Sequence, residues 1–352
     1  MSRPDRSVVA VLTILSAAAI TSVQDVLIKW ISGDYPFHQM QAIRCLAAMP
    51  IVVFALLWNE PIQRLWAEGW RQSLGRGLIY AIASVCFYLT ATAMPFAEAV
   101  AIYFTMPLLV AALAGRVLGE WVPVHRWVAV VLGFAGILVM LRPGFRVFEP
   151  AALVGLLCAL LYAVGHLLTR RMGLQVSTSV LAVHQNVMYL ASAILISLVF
   201  GWGGFEMTSH PSLAYVSRPW VWPSLEDALF IMFLGASTGL LMVLFTLAYR
   251  LADSSFVAPF EYSAMFWAVV TSYVILGEFA DLMSFIGMAM IVGAGLFMLV
   301  MDRYMGARRP SEPAIRGSET ARQLDLPGPV ARPVWPRQIA RAVSLARPQG
   351  RR

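Results

Sequence analysis

Val257–Glu278 reads VAPFEYSAMFWAVVTSYVILGE. The stretch is about as long as a helix must be to cross a bilayer, and it carries one carboxylate, Glu261, well inside an apolar run. It closes in Leu276-Gly277-Glu278. Ala99–Glu120, AVAIYFTMPLLVAALAGRVLGE, lies 158 residues earlier and closes in Leu118-Gly119-Glu120. Each stretch also holds a proline, Pro259 in one and Pro107 in the other. Two apolar spans of one size with the same terminal tripeptide are the mark of a unit used twice. With an odd number of spans per unit, the two copies sit upside down relative to each other in the bilayer.

The rest of the chain agrees with a membrane setting. Of its 352 residues 59% are hydrophobic and 13% charged, with a mean hydropathy of +0.72. A soluble domain has about 45–50% apolar and about 25% charged residues. An outer-membrane barrel would show alternating segments of roughly 10 residues instead of long apolar runs. The sequence therefore predicts an all-α membrane protein. The net charge of +7 is misleading: residues 303–352 hold eleven arginines against Glu312, Glu319 and Asp325, and residues 1–302 sum to −1. The basic character belongs to a tail and gives no reason to expect nucleic acid. That tail, rich in Arg, Pro and Ala with little to bury, is expected to be disordered, cytoplasmic and drawn to anionic lipid.

Ten spans are expected, at about 8–31, 37–58, 77–95, 99–118, 126–141, 151–170, 180–200, 229–250, 255–276 and 283–301. The first resembles a signal peptide in outline, but its apolar run outlasts such a segment and Gln24-Asp25 follows the Ala17–Ala19 cluster, so it reads as an uncleaved helix. The bias of Arg and Lys in short loops places Arg3, Arg6, Arg64, Arg71, Arg76, Arg116, Arg126, Arg170, Arg171, Arg250 and Arg303 on the cytoplasmic side. Only Arg142, Arg146 and Arg218, with Lys29 nearby, fall outside, so both termini are expected in the cytoplasm of an inner-membrane protein.

Five spans fall in residues 1–145 and five in 146–302, which makes two inverted five-helix repeats followed by the tail, 303–352. At the offset of 158, Gly77 maps onto Gly235; at an offset of 141, Val23–Lys29 falls on Val164–Arg170, and Arg44 on Gln185. The difference is taken up by an aromatic-rich loop at about 201–227.

Ionisable groups inside spans are the candidate functional residues, because a charge in hydrocarbon is costly. Asp25 and Lys29 are four apart on one helix face and are expected to pair, with Arg44 at comparable depth on the next helix. Arg44 suits a substrate anion, since a guanidinium grips carboxylate or phosphate with two bonds. The second half offers His166, Gln185 and, in the repeated stretch, Glu261 beside Tyr262. Asp25, His166 and Glu261 are the groups that would carry a coupling proton. Pro107 and Pro259 each remove a backbone donor inside a span, and the freed carbonyls can line a cavity. Aromatic residues on these spans, Tyr80, Phe87, Tyr88, Tyr103, Phe104, Phe260, Phe266 and Trp267 among them, suit a planar substrate. Gly133, Gly136, Gly287, Gly293 and Gly295 allow close helix contact. Glu120 and Glu278, at span ends, read as cap or interface groups.

Cys45, Cys86 and Cys158 all fall in apolar spans without CxxC spacing, so neither a disulfide framework nor a metal site is expected. No nucleophile elbow, HExxH, Walker loop or paired catalytic carboxylate appears, and no catalytic residue is assigned.

With these residues in view, the chain resembles the drug/metabolite transporter superfamily, and within it the EamA family. The resemblance covers residues 8–301 and rests on the ten spans, the doubled unit, Pro107…Leu118-Gly119-Glu120, and Val257-Ala258-Pro259-Phe260-Glu261-Tyr262…Leu276-Gly277-Glu278. It implies alternating access around a central cavity between the halves, a small-molecule substrate and no cofactor. Gln24-Asp25…Lys29, Arg44 and Pro107–Leu113 are similar to the riboflavin-importer subgroup, so riboflavin or S-adenosylmethionine uptake is the specific substrate reading. The expected substrate contacts are Asp25, Lys29 and Arg44 from one half and His166, Gln185, Glu261 and Tyr262 from the other. Protons as coupling ion and a homodimer complete the expected partners beside the bilayer. The rival of another class is a sensor or assembly protein that acts through its tail.

Overall fold

Arg3-Pro4 opens the first helix of the described chain, and Pro36 and Pro95 stand just ahead of two of those that follow. The computed structural model describes residues 3–118, 122–141, 150–172, 176–204, 209–251, 260 and 262–307. Glu120, Pro259 and Glu261, and the tail beyond 307, lie outside the described residues. All regular elements among those described are helical: α1 (Arg3–Ile31), α2 (Phe37–Asn59), α3 (Trp70–Ala93), α4 (Phe96–Tyr103), α5 (Met106–Leu118), α6 (Val124–Leu141), α7 (Ala151–Met172), α8 (Thr178–Phe200), α9 (Pro211–Ser217), α10 (Leu225–Leu251), α11 (Ser263–Thr271) and α12 (Leu282–Ala307). A short 3₁₀ turn, Ile62–Trp66, precedes α3.

Eight stretches among the described residues are long and apolar enough to cross a membrane. The expected eighth span falls on α10. The described part of the expected ninth, Ser263–Leu276, is shorter. Large apolar side chains face outward along the bundle, Leu12, Phe54, Leu138 and Leu195 among them, as a lipid-facing surface requires. Exposed tryptophans sit near helix ends, including Trp30, Trp66, Trp202 and Trp222.

Two boundaries differ from the sequence reading in ways that matter. α3 starts at Trp70, not 77, so Arg76 lies almost two turns inside a helix and is buried rather than in a loop. The polar Trp70–Arg76 segment lowers the mean hydropathy, and burial against α7 and α8 extends the helix regardless. The expected span 99–118 is broken in two. Pro107 cannot donate to the carbonyl four residues back, so α4 ends at Tyr103, and the Thr105 hydroxyl bonds the Ile102 carbonyl at 2.7 Å. In the repeated stretch α11 passes into a π turn, Ser272–Leu276, which ends at Gly277 in the left-handed region (φ 67°).

Residues up to Arg303 form one compact unit. Inside it α3 lies on α7 and α8, α10 on α1 and α2, and α2 on α8. Gly77 and Gly235 make two of these approaches possible. A methyl group on Gly77 would come within 3.1 Å of the His184 carbonyl oxygen, and one on Gly235 would run into the Arg44 backbone. α6 and α12 touch where Gly136 faces the Gly287 backbone.

Candidate functional site

The starts of α6 and α8 and the end of α12 bring Arg126, Thr178 and Asp302 to one end of the bundle, on the lining of one cavity. A cavity of about 990 Å³ reaches that end at Arg126, Thr178 and Asp302 and runs inward as far as Asp25 and Phe96. Its walls carry Phe87, Tyr88, Tyr103, Phe104, Tyr162, Tyr189 and Tyr262, and polar groups lie among them, some buried, as Arg44 and Arg76 are, and others more open, as Arg126 and Asp302 are.

At its inner end Arg44 Nη1 donates to the Tyr88 hydroxyl at 3.1 Å, and that hydroxyl donates to Asp25 Oδ1 at 3.2 Å. The guanidinium also lies 5.7 Å from the Tyr88 ring centre and 3.5 Å from Gln41 Oε1. Arg44 and Asp25 thus share one phenol, and their formal charges balance. Beside them Gln24 donates to Thr238 and accepts from Ser237, at 2.9 and 3.0 Å, which ties α1 to α10. Asn186 donates to the Cys45 carbonyl at 3.0 Å, which ties α8 to α2.

Nearer the mouth stands Arg76. Its Nε donates to the Thr169 hydroxyl and its Nη1 to Gln185 Oε1 at 3.2 Å, while its carbon centre lies 4.3 Å over the Tyr80 ring. His166 opens onto the cavity with its ring 5.9 Å from that of Tyr80. At the mouth itself Asp302 holds His125 at 2.7 Å and Arg126 at 3.0 Å.

Beyond Asp25 the bundle is shut. Lys29 does not pair with Asp25: its ammonium donates to Glu278 Oε1 at 2.6 Å and to the Met94 carbonyl at 2.8 Å. Spacing of four put the two on one face, but the carboxylate with room and hydrogen-bond donors was Glu278, from the far end of the chain. The other Glu278 oxygen accepts from the Phe96 amide at 2.8 Å, at the start of α4, and from Ser272 at 3.2 Å. The cap is completed by the loop before α10. Arg218 donates to the Ser32 and Gly33 carbonyls, the Gln39 side chain pairs with the Val221 backbone, and Ser212 bonds the Leu89 carbonyl at 2.6 Å.

Of the residues singled out in the sequence, Asp25, Arg44, His166 and Tyr262 line the cavity. Gln185 acts one step back, bonding Arg76 and Tyr189, both of which line it. Lys29 belongs to the cap, and Glu261 lies outside the described residues. The residue passed over was Arg76. Arg76, Tyr80, Ser84 and Tyr88 follow at intervals of four, and all four are buried. That stripe was legible, but a span drawn from 77 left its first member outside.

Comparisons with known proteins find transporters and one solved fold similar to this chain. The profile of the EamA-like transporter family matches residues 8–142. The S-adenosylmethionine uptake transporter of Rickettsia prowazekii is 25% identical over 297 residues, 82% of this chain and 92% of that protein. The riboflavin transporter of Rhizobium johnstonii is 26% identical over 318 residues, 88% of this chain and 96% of that protein. A solved crystal structure superposes with a TM-score of 0.58 at 19% identity, covering 86% of this chain and 99% of the other, and so shares the fold.

Proposed function

We propose that this multi-pass membrane protein, with an EamA-family domain over residues 8–142, is a secondary transporter that moves a small organic metabolite by alternating access. The observation that carries the reading is the cavity: about 990 Å³ of space with buried charges, reaching one end of the bundle and capped at the other. Buried ionisable groups inside a membrane bundle cost stability, and a pathway is their usual reason. The cap at Lys29–Glu278 ties α1, the α3–α4 corner and the end of α11, which belong to both halves of the chain. Separating the halves there while they close around Arg126 and Asp302 would exchange access. The Arg/Lys bias assigns the open mouth to the cytoplasm of the inner membrane, with both termini on that side.

Packing supports two inverted copies of one unit. Cys45 and Asn186 are 141 apart and touch each other, as equivalent residues beside a two-fold axis do. Gly77 on α3 meets α8 at Gln185, and Gly235, 158 further on, meets α2 at Arg44, which is 141 before Gln185. One operation exchanges the two contacts.

The two named solutes of the relatives, S-adenosylmethionine and riboflavin, both bring a flat ring system that matches the aromatic walls. Proteoliposomes holding the full chain should take up one of them above protein-free vesicles. If Asp25, His166 or Glu261 carries a proton, an inward acid gradient should accelerate uptake. Neither solute entering, with function elsewhere abolished on truncation after Arg303, would replace this reading by that of a sensor acting through the tail.

A further inference from the structure

The cavity contains three arginines, and two of them are answered. Arg44 shares Tyr88 with Asp25, and Arg126 pairs with Asp302. Among the described residues Arg76 has no such answer. The direct ion pairs among the described residues are Lys29–Glu278, His125–Asp302 and Arg126–Asp302; Arg44 and Arg76 take part in none, but only Arg44 reaches a carboxylate through a shared partner. Its hydrogen-bond partners are the neutral Thr169 and Gln185, and it rests on the face of Tyr80. Yet the residue is 9% exposed, no more than Arg44.

A buried guanidinium without a counter-ion is expensive, several kcal/mol by common measure. A surface arginine would escape by stretching to the headgroups. Arg76 does not: Thr169 on α7 and Gln185 on α8 hold it, and Gly77, next in sequence, lets α3 close on α8 at Gln185. The described residues thus hold a cation on the cavity wall and bring no counter-ion to it.

We infer that Arg76 is the anion anchor of the transported solute, and that the solute presents a carboxylate to it, with Gln185 and Thr169 as positioning residues. A single negative charge balances the one unanswered cation. A phosphate dianion would reverse the imbalance instead of removing it. The planar guanidinium over a phenol also suits a flat carboxylate, which it can grip with parallel bonds. The inference rests on the transporter reading and divides its two substrates by group rather than by net charge: S-adenosylmethionine carries a carboxylate, beside an ammonium and a sulfonium that Arg76 does not answer, and riboflavin has none.

The test uses the purified full-length chain and a probe pair of one shape, benzoate and benzamide, at constant ionic strength. Binding to the native state alone raises the melting temperature as the probe passes its dissociation constant. Benzoate should stabilise the wild type at concentrations on the order of ten-fold lower than benzamide, the loss expected when a charge-assisted bond is removed. Arg76→Gln should abolish that preference, and without ligand should melt no lower than wild type, because a costly charge has gone. Arg76→Lys should keep part of the preference. Equal stabilisation of the wild type by both probes would overturn the anchor, as would an undiminished preference in Arg76→Gln. The outcomes separate from those of the transport assay. Uptake without a carboxylate preference sinks the anchor and keeps the transporter; a preference without uptake does the reverse.

Discussion

Arg44 and Arg76 are two arginines, each 9% exposed as a residue, on the wall of one cavity, and their surroundings differ in kind. Arg44 stands at the inner end, joined through Tyr88 to Asp25, while Arg76 stands nearer the mouth among neutral partners. The first reaches a carboxylate through one shared phenol, although its Nε finds no hydrogen-bond partner. The second leaves a formal charge that something outside the described protein must meet. Depth in the membrane is therefore a poor guide to function, and what separates the two is who answers the charge.

The sharpest way to break this comparison is to remove each cation in turn. Arg44→Met leaves the Asp25 carboxylate buried with Tyr88 alone, and breaking a buried pair from one side costs about 3–5 kcal/mol. Chemical unfolding in detergent should show a loss in that range, and adding Asp25→Asn should recover most of it. Arg76→Met should show the opposite sign or no loss. If both variants lose stability alike, Arg76 is a structural clamp and the contrast disappears.

How much of this could be read beforehand follows from the same contrast. Asp25 and Arg44 were found because they interrupt apolar runs, a signal that needs no partner. Arg76 was hidden because it adjoins a run: hydropathy ended the span at 77, and tertiary burial against α7 and α8 carried α3 back to Trp70. Lys29 was placed on the right face but given the wrong partner. Helical spacing reports which side chains share a stripe, and Glu278, 249 residues away, reaches Lys29 only once the chain is folded. The repeated Leu-Gly-Glu marked Glu278 as notable, and its two-oxygen clasp of Lys29 and the Phe96 amide says what it does.

A smaller effect separates the two sites through their backbones. A methyl on Gly235 would meet the oxygen, α-carbon and carbonyl carbon of Arg44, none of which can step aside. A methyl on Gly77 would first meet the Met188 side chain at 2.9 Å, a flexible group, and then the His184 carbonyl. Overpacking costs about 1–3 kcal/mol, so Gly235→Ala should fall at the upper end and Gly77→Ala at the lower. The variants should also differ in kind. Gly235→Ala disturbs the Arg44–Tyr88 bond and leaves the benzoate preference intact, whereas Gly77→Ala pushes α3 off Gln185 and weakens that preference. Both are read from melting curves with and without benzoate. Equal losses with equal preference would mean that the two arginines are not held separately.

The smallest effect lies at the cap, where charges are answered as they are around Arg44, but in water. Asp227, ahead of the expected span at 229, accepts from the Tyr35 hydroxyl at 2.6 Å and from Ser224 at 2.8 Å. The Tyr35 bond first, and that of Ser224 next, hold its carboxyl below the usual carboxylate range. A carboxyl lowered on folding stabilises the native state above its unfolded pKa, and the gain fades as pH falls through its folded pKa. Tyr35→Phe should therefore lower the melting temperature slightly at pH 6, and the gap from wild type should close on acidification toward pH 3. Exposure to solvent screens the pair, so the gap is far smaller than that of Arg44→Met. A gap that stays constant across that range would assign the Tyr35 contribution to packing in the cap, in contrast to the Arg44–Tyr88–Asp25 chain, where the loss follows the charge.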